Sequence, residues 1–183
     1  VLNYIYKHTQ LELNFNFNMV ALVDGVPQTL SLKSILEEFI DHRVVVVRRR
    51  TAFDLQKAKD REHILLGLKK ALDHIDKVIT TIRESKDAAV AKVNLIKAFK
   101  FSDLQADAIL EMRLQKLAGL ERKAVETELR EKQELIEELE TLLKSEKKIF
   151  GVIATELREI REKYADDRRS RIIKGGVKAI NEE

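Results

Sequence analysis

The stretch TAFDLQKAKDREHILLGLKKALDHIDKVITTIR, residues 51–83, decides the fold. Thr51, Ala58, Leu65, Leu72 and Ile79 fall seven residues apart. Leu68, Ile75 and Ile82 form a second track three residues further along. This alternation of three and four is the apolar seam of a helix that packs along another helix. From about Leu32 to Arg83 there is no proline, and Gly67 is the only glycine, so nothing in the stretch stops a helix. About 45 residues at a rise of about 1.5 Å would make an arm on the order of 65 Å long.

A second seam lies later in the chain. Leu129, Ile136, Leu143, Phe150, Leu157 and Tyr164 keep an unbroken seven-residue step. Val125, Leu139, Ile153 and Ile160 are their companions, with Lys132 and Glu146 as polar interruptions. Neither helix can bury its stripe alone, and each supplies what the other lacks. The two seams predict an antiparallel hairpin, with His42 and Tyr164 meeting near its open end and Gly151 softening the returning helix. Tyr164 reads as a seam residue.

The segment between the seams has a different pattern. Ser85-Lys86-Asp87 interrupts the first seam, and Val90 to Phe99 reads as a short amphipathic helix. Ser102 and Gln105 have capping-box spacing. Leu104 to Leu117 predicts a helix that is apolar on more than one face, with Gly119 as its C-terminal cap. So small a knob has little room to bury every face. An isologous contact between two copies would cover the remainder. The candidate dimer surface is Ala106, Ile109, Leu110, Met112, Arg113, Leu114 and Leu117. Ala106 and Ala108 would permit close approach, and Met112 would adapt to a contact that opens and re-closes. The competing reading is a purely internal core.

Residues 1 to about 30 are the only β-like stretch. Met19-Val20-Ala21-Leu22-Val23 is apolar, Asp24-Gly25 is a hairpin-type turn, and Pro27 suits an edge. Ser31 or Ser34 can cap the helix that follows, and Ser34 with Glu37 has capping-box spacing. The expected fold is therefore mostly α: a long antiparallel helical hairpin (a coiled coil), capped by a small helical dimerisation knob, with a short β-hairpin at its N-terminal end. The segments are 1–41, an arm 42–85, the knob 86–121, a returning arm 122–164, and a return segment 165–183.

Composition agrees with exposed helices. Charged residues make up 36% and aromatics 5%, there is no Trp, and Pro27 is the sole proline. Hydrophobic residues at 44% are too many for a disordered chain. The net charge of +3 reflects 34 Lys and Arg against 31 Asp and Glu. The absence of cysteine excludes disulfides and a cysteine zinc site. No apolar run approaches the roughly 18 residues of a membrane span. Both ends read as cuts in a longer chain.

Catalytic and metal-binding patterns are not found. His8, His42, His63 and His74 are scattered without ligand spacing. Asp73, His74 and Asp76 read as a solvated face rather than acid–base machinery. No GxxxxGK[ST] phosphate loop occurs. Arg48-Arg49-Arg50 and Arg168-Arg169-Arg171 are basic runs that a hairpin would fold to the same end. Arg48, Arg49, Arg50, Arg168 and Arg169 are candidate DNA-phosphate contacts. The alternative is ion pairing with Glu37, Glu38, Asp41, Asp166 and Asp167.

The order of these parts resembles the A subunit of bacterial type IIA DNA topoisomerases, DNA gyrase and topoisomerase IV. The matching stretches include Tyr6-Lys7-His8-Thr9-Gln10-Leu11, Asn18 to Gly25, Arg49-Arg50-Thr51 and Arg61-Glu62-His63-Ile64-Leu65. Gln105-Ala106-Asp107-Ala108-Ile109-Leu110-Glu111-Met112-Arg113-Leu114 and Tyr164 to Arg169 complete them. Asn16, Val44-Val45 and Arg48 depart from the family's usual residues. The resemblance implies a tower end, coiled-coil arms and an exit gate (C-gate) in an ATP-hydrolysing cytoplasmic isomerase that changes DNA supercoiling. It implies a homodimer through the knob, a B subunit engaged through other parts of the chain, and double-stranded DNA as partner. It places the cleaving Tyr in a domain whose motif Tyr4, Tyr6 and Tyr164 do not match, so no catalytic residue is assigned here. It places ATP and Mg²⁺ on the partner subunit, leaving this segment without a cofactor. The motifs do not separate gyrase from topoisomerase IV, though their general look favours gyrase. A structural coiled-coil scaffold and a stand-alone nucleic-acid-binding module are the alternatives.

Overall fold

The computed structural model describes residues 1–112 and 119–171. Among them are α1 (Leu2–His8), β1 (Val20–Val23), β2 (Val26–Thr29), α2 (Leu32–Asp73), α3 (Ile75–Arg83), α4 (Ala88–Phe99), α5 (Asp103–Leu110), α6 (Gly119–Leu143) and α7 (Glu146–Tyr164). Among the described residues the protein is mostly helical with one antiparallel two-stranded sheet, as the heptad spacing and the Asp24-Gly25 turn predict. It forms two compact units. One is Val44–Val152; the other is Val1–Arg43 together with the chain from Ile153 onward.

In the unit containing the N-terminus, Asp24 and Gly25 take φ of 50° and 80°. Two successive positive φ angles make the tight turn whose twist matches a hairpin. The ladder runs from Val23 opposite Val26 to Val20 opposite Thr29, with Pro27 facing Leu22. The β-like reading of residues 1 to about 30 holds only for this hairpin, because Leu2–His8 is helical. The Tyr4 and His8 rings, one turn apart, lie 4.3 Å from each other. Lys7 and His8 also complement the C-terminal end of that helix dipole. Ser31 caps α2, its Oγ accepting the Ser34 N–H at 3.1 Å. The Ser34–Glu37 box does not form: the Ser34 hydroxyl lies 2.9 Å from that of Ser31, and Glu37 pairs with Lys33. Arg43 and Glu156, both half-buried, form an ion pair.

In the Val44–Val152 unit the first seam is buried as its spacing predicts. Thr51, Ala58, Leu65 and Leu72 are all closed off from solvent, and Val47 extends the row. Ion pairs flank the seam. Arg48 meets Glu146, Lys59 meets Glu140, Arg61 meets Glu128, and Asp73 meets Arg122. Gln133 donates to Glu62 at 3.0 Å. Numbers rise along α2 as they fall along α6, which is the signature of antiparallel helices.

Two expectations about the seams are corrected. The first helix does not run on to Arg83: it ends at Asp73, where His74 takes φ −123° and ψ 32°. Tertiary contacts hold this break. The His74 ring stacks on Phe99, and Arg122 engages the Asp73 carboxylate. After the break Val78, not Ile79, takes the deepest place. The second seam is also interrupted, at Lys144-Ser145, between α6 and α7. Ser145 restarts the helix by accepting the Lys148 N–H on its hydroxyl at 3.4 Å. Beyond it Ile149 and Ile153 are buried, whereas Phe150, Ile160 and Tyr164 are exposed. The seam position assigned to Tyr164 is therefore not occupied; its ring faces Lys163, whose Nζ is 5.2 Å from the centroid. Gly119 is the first residue of α6; the residues 113–118 that it is expected to cap lie outside the described residues.

Candidate gate knob and basic faces

The knob is built by α3, α4 and α5 around Val78, Leu95, Phe101, Ala106 and Ile109, which close over Ala71 of α2. Each helix end has a local cause. Asp87 caps α4 by accepting the Val90 N–H at 2.8 Å, and Lys100 ends it in the left-handed conformation at φ 54°. Ser102 and Gln105 form the predicted capping box in full: the Gln105 N–H bonds Ser102 Oγ, and the Ser102 N–H bonds Gln105 Oε1. Helix α5 ends at Leu110, shorter than the predicted Leu104 to Leu117, and Glu111 forms its C-terminal cap. Lys92 of α4 spans to Asp107 at 2.8 Å and Asp103 at 3.6 Å. The hydrogen bond to Asp107 is the main reason its ammonium pKa is raised, with desolvation opposing.

The candidate dimer residues separate by position. Ala106 and Ile109 are buried inside this chain's own core, and Leu110 packs half-buried against it. Met112 is half-buried, its N–H on the Ile109 carbonyl. Arg113, Leu114 and Leu117 lie outside the described residues. The outer surface of the knob instead shows Leu104 at 65% exposure, with Val93 and Val90 also open to solvent. These three are absent from the surface expected from sequence, although the spacing of Val90 and Val93 places both on one face of α4.

A polar joint ties the knob to the arm. The Gln105 amide Nε2 donates to the His63 carbonyl at 2.8 Å, and His63 Nε2 lies 2.7 Å from Ser102 Oγ. Gly67 makes room for this: a Cβ there would stand 2.6 Å from Gln105 Cγ. The His63–Ser102 pair has the distance of a nucleophile and its base. The Ser102 oxygen, however, is engaged as the cap of α5, which makes it a structural group. Lys70 adds a bond to the Phe99 carbonyl at 2.6 Å.

The basic runs fall in different units. Arg48 bonds Glu146 at 3.2 Å, a partner outside the set expected from sequence. Arg49 is exposed. Arg169 bonds Asp166 at 3.2 Å, one of the expected pairings, and Arg168 is exposed. Along the arm, Glu128 hydrogen-bonds the Arg61 guanidinium and raises its pKa. The Lys59 ammonium holds the Glu140 carboxyl below its ordinary value. Among the described residues no group of three His, Asp or Glu could hold a metal ion. Among them, too, no helix is long and apolar enough to cross a membrane.

A paired helical arm ending in a small helical knob defines an arm-bearing helical segment, in a chain that also carries a β-hairpin and two basic runs. The chain belongs to the family of the DNA gyrase/topoisomerase IV A subunit, whose model matches residues 1–158. It is 49% identical, over all 183 residues, to the DNA gyrase A subunit of Staphylococcus aureus strain N315, covering 21% of that protein. It is 47% identical over the same span to the DNA gyrase A subunit of Staphylococcus epidermidis, covering 20%. The chain thus spans about a fifth of the length of these relatives.

Proposed function

We propose that this chain is the coiled-coil arm and exit gate of a type IIA DNA topoisomerase, carried on its A subunit, and that its work is mechanical. Two copies meet through the knob. The arms enclose a cavity, and the knob contact opens to release a duplex that has passed through a double-strand break in another. Cleavage belongs to another domain of the full polypeptide, and ATP and Mg²⁺ belong to the partner B subunit. The setting is the cytoplasm, where the intact enzyme changes DNA supercoiling. Identity to gyrase A subunits over the whole chain supports the enzyme class.

One observation supports the gate: the knob's interior is already filled, yet Leu104, Val93 and Val90 remain open to solvent and Met112 is only half-buried. Apolar residues left outside a closed core suit a partner surface, and a cyclic dimer covers the same residues on both copies at once. The exposed guanidinium groups of Arg49 and Arg168, with the neighbouring Arg48, Arg50 and Arg169, are proposed as sequence-independent phosphate contacts.

The test is sedimentation of the wild-type chain beside Leu104→Glu and Met112→Glu. The expected result is a wild-type dimer and folded monomeric variants. Leu104→Glu adds an acid to the first turn of α5, which suits the helix dipole, so loss of association would not come from unfolding. A wild-type monomer at high concentration would overturn the gate reading of this segment.

A further inference from the structure

We propose that Gln105 is a positioning residue: it fixes the angle at which knob helix α5 packs against arm helix α2, and through it movement of the arm reaches the knob. The use of that coupling in gating rests on the function proposed above; the joint itself does not.

The geometry gives one side chain two separate duties. Through Oε1, Gln105 accepts the Ser102 N–H at 3.1 Å and completes the cap of its own helix. Through Nε2, it donates to the His63 carbonyl on α2 at 2.8 Å. Its aliphatic stem occupies the space that Gly67 leaves, where an added Cβ would lie 2.6–2.9 Å from Cβ, Cγ and Cδ of Gln105. His63 Nε2 then meets the cap hydroxyl of Ser102 at 2.7 Å, a second bond between the same two helices. Apolar packing alone permits small rotations of one helix on another. Directional bonds at a close contact do not, because their strength falls steeply with angle.

Gln105→Glu separates the two duties. Glutamate at this position keeps the capping box, since a carboxylate oxygen accepts the Ser102 N–H. It cannot donate to the His63 carbonyl. The chain contains no cysteine, so one pair introduced at Gln56→Cys on α2 and Lys97→Cys on α4 takes spin labels without background. Both positions are exposed. Labelled chain diluted into unlabelled chain reports the distance within one copy, whatever the oligomeric state. The expected result is a single narrow distribution for wild type. Gln105→Glu loses it while circular dichroism is unchanged, and Gly67→Ala shifts its mean. A narrow wild-type distribution in Gln105→Glu would overturn the proposal, because capping alone would then explain the residue. Loss of the folded helical signal in both variants would overturn it as well, since the pair would then hold the fold rather than an angle. Failure of the gate reading is seen separately, in the sedimentation of the wild-type chain.

Discussion

Arg61 of α2 and Glu128 of α6 meet as two parallel hydrogen bonds, Nε to Oε1 at 2.7 Å and Nη2 to Oε2 at 2.8 Å. A planar fork against a planar carboxylate constrains rotation about the contact as well as distance. Both groups are partly exposed, so the pair contributes modestly. A double-mutant cycle with Arg61→Ala and Glu128→Ala, read by urea denaturation, is expected to show a coupling of about 0.2–1 kcal/mol. Arg61→Lys keeps the charge but loses the fork, and it should retain less than the full coupling. Identical denaturation midpoints for all four cycle members would show that the fork is not held in solution.

Lys59 and Glu140 are joined at 2.6 Å, and the pKa of Glu140 lies below its ordinary value of 4.5. A carboxyl with a depressed folded pKa binds protons less readily folded than unfolded. Its contribution is therefore present above the ordinary value and is lost as pH falls through the folded one. The thermal midpoint of Glu140→Gln should lie below that of wild type at neutral pH, and the gap should close at pH below the carboxylate range. A gap independent of pH would assign the effect to something other than this charge.

Leu95 is fully buried in the knob. Leu95→Ala removes its contacts and leaves a space that helices from both sides cannot fully close. The expected loss is about 2–5 kcal/mol, measured by urea denaturation of the chain. A cost near zero would mean that the knob is loosely packed.

Ser102 caps α5 and also meets His63. Ser102→Ala removes both bonds at once and should cost about 1–2 kcal/mol, toward the upper end of the range for a lost cap. His63→Phe in the Ser102→Ala background should then add little, because the bond they shared is already gone. Full additivity of the two substitutions would argue against that bond.

Gly25 holds φ at +80°, a region that side chains with a Cβ avoid. Gly25→Val should destabilise the hairpin by about 1–2 kcal/mol. Amide exchange at Val23 and Val26 would report this locally, with the Val44–Val152 unit unaffected.

The heptad track from Thr51 to Leu72 is legible in the sequence because one rule, periodicity, governs a helix packed along its length. Asp24-Gly25 and Ser102-Gln105 are legible for a similar reason: turn and cap chemistry is local. The break at His74 is not, because no breaker residue makes it. It depends on Phe99 and Arg122, which arrive from elsewhere in the chain. The break before α7 does have a local signal, since Ser145 followed by Glu146 is a helix start. An unbroken seven-residue step overrides that signal and carries the expected seam on to Phe150 and Tyr164, both of which face solvent. Among the site residues, Ala106 and Ile109 are recognisable as apolar but not as interior. Helices α2, α3 and α4 and the loop residue Phe101 share out the rest of that core, and helical spacing along α5 alone does not say which faces are already taken. The notch at Gly67 is equally hidden, because a glycine inside a helix signals close approach only once its neighbour is known.

The helix broken at Lys144-Ser145 runs opposite the uninterrupted α2, with Arg48 of α2 bonded to Glu146 just past the break. Where a helix breaks, its backbone hydrogen-bond ladder is interrupted, so at that level only the whole helix α2 carries an unbroken ladder.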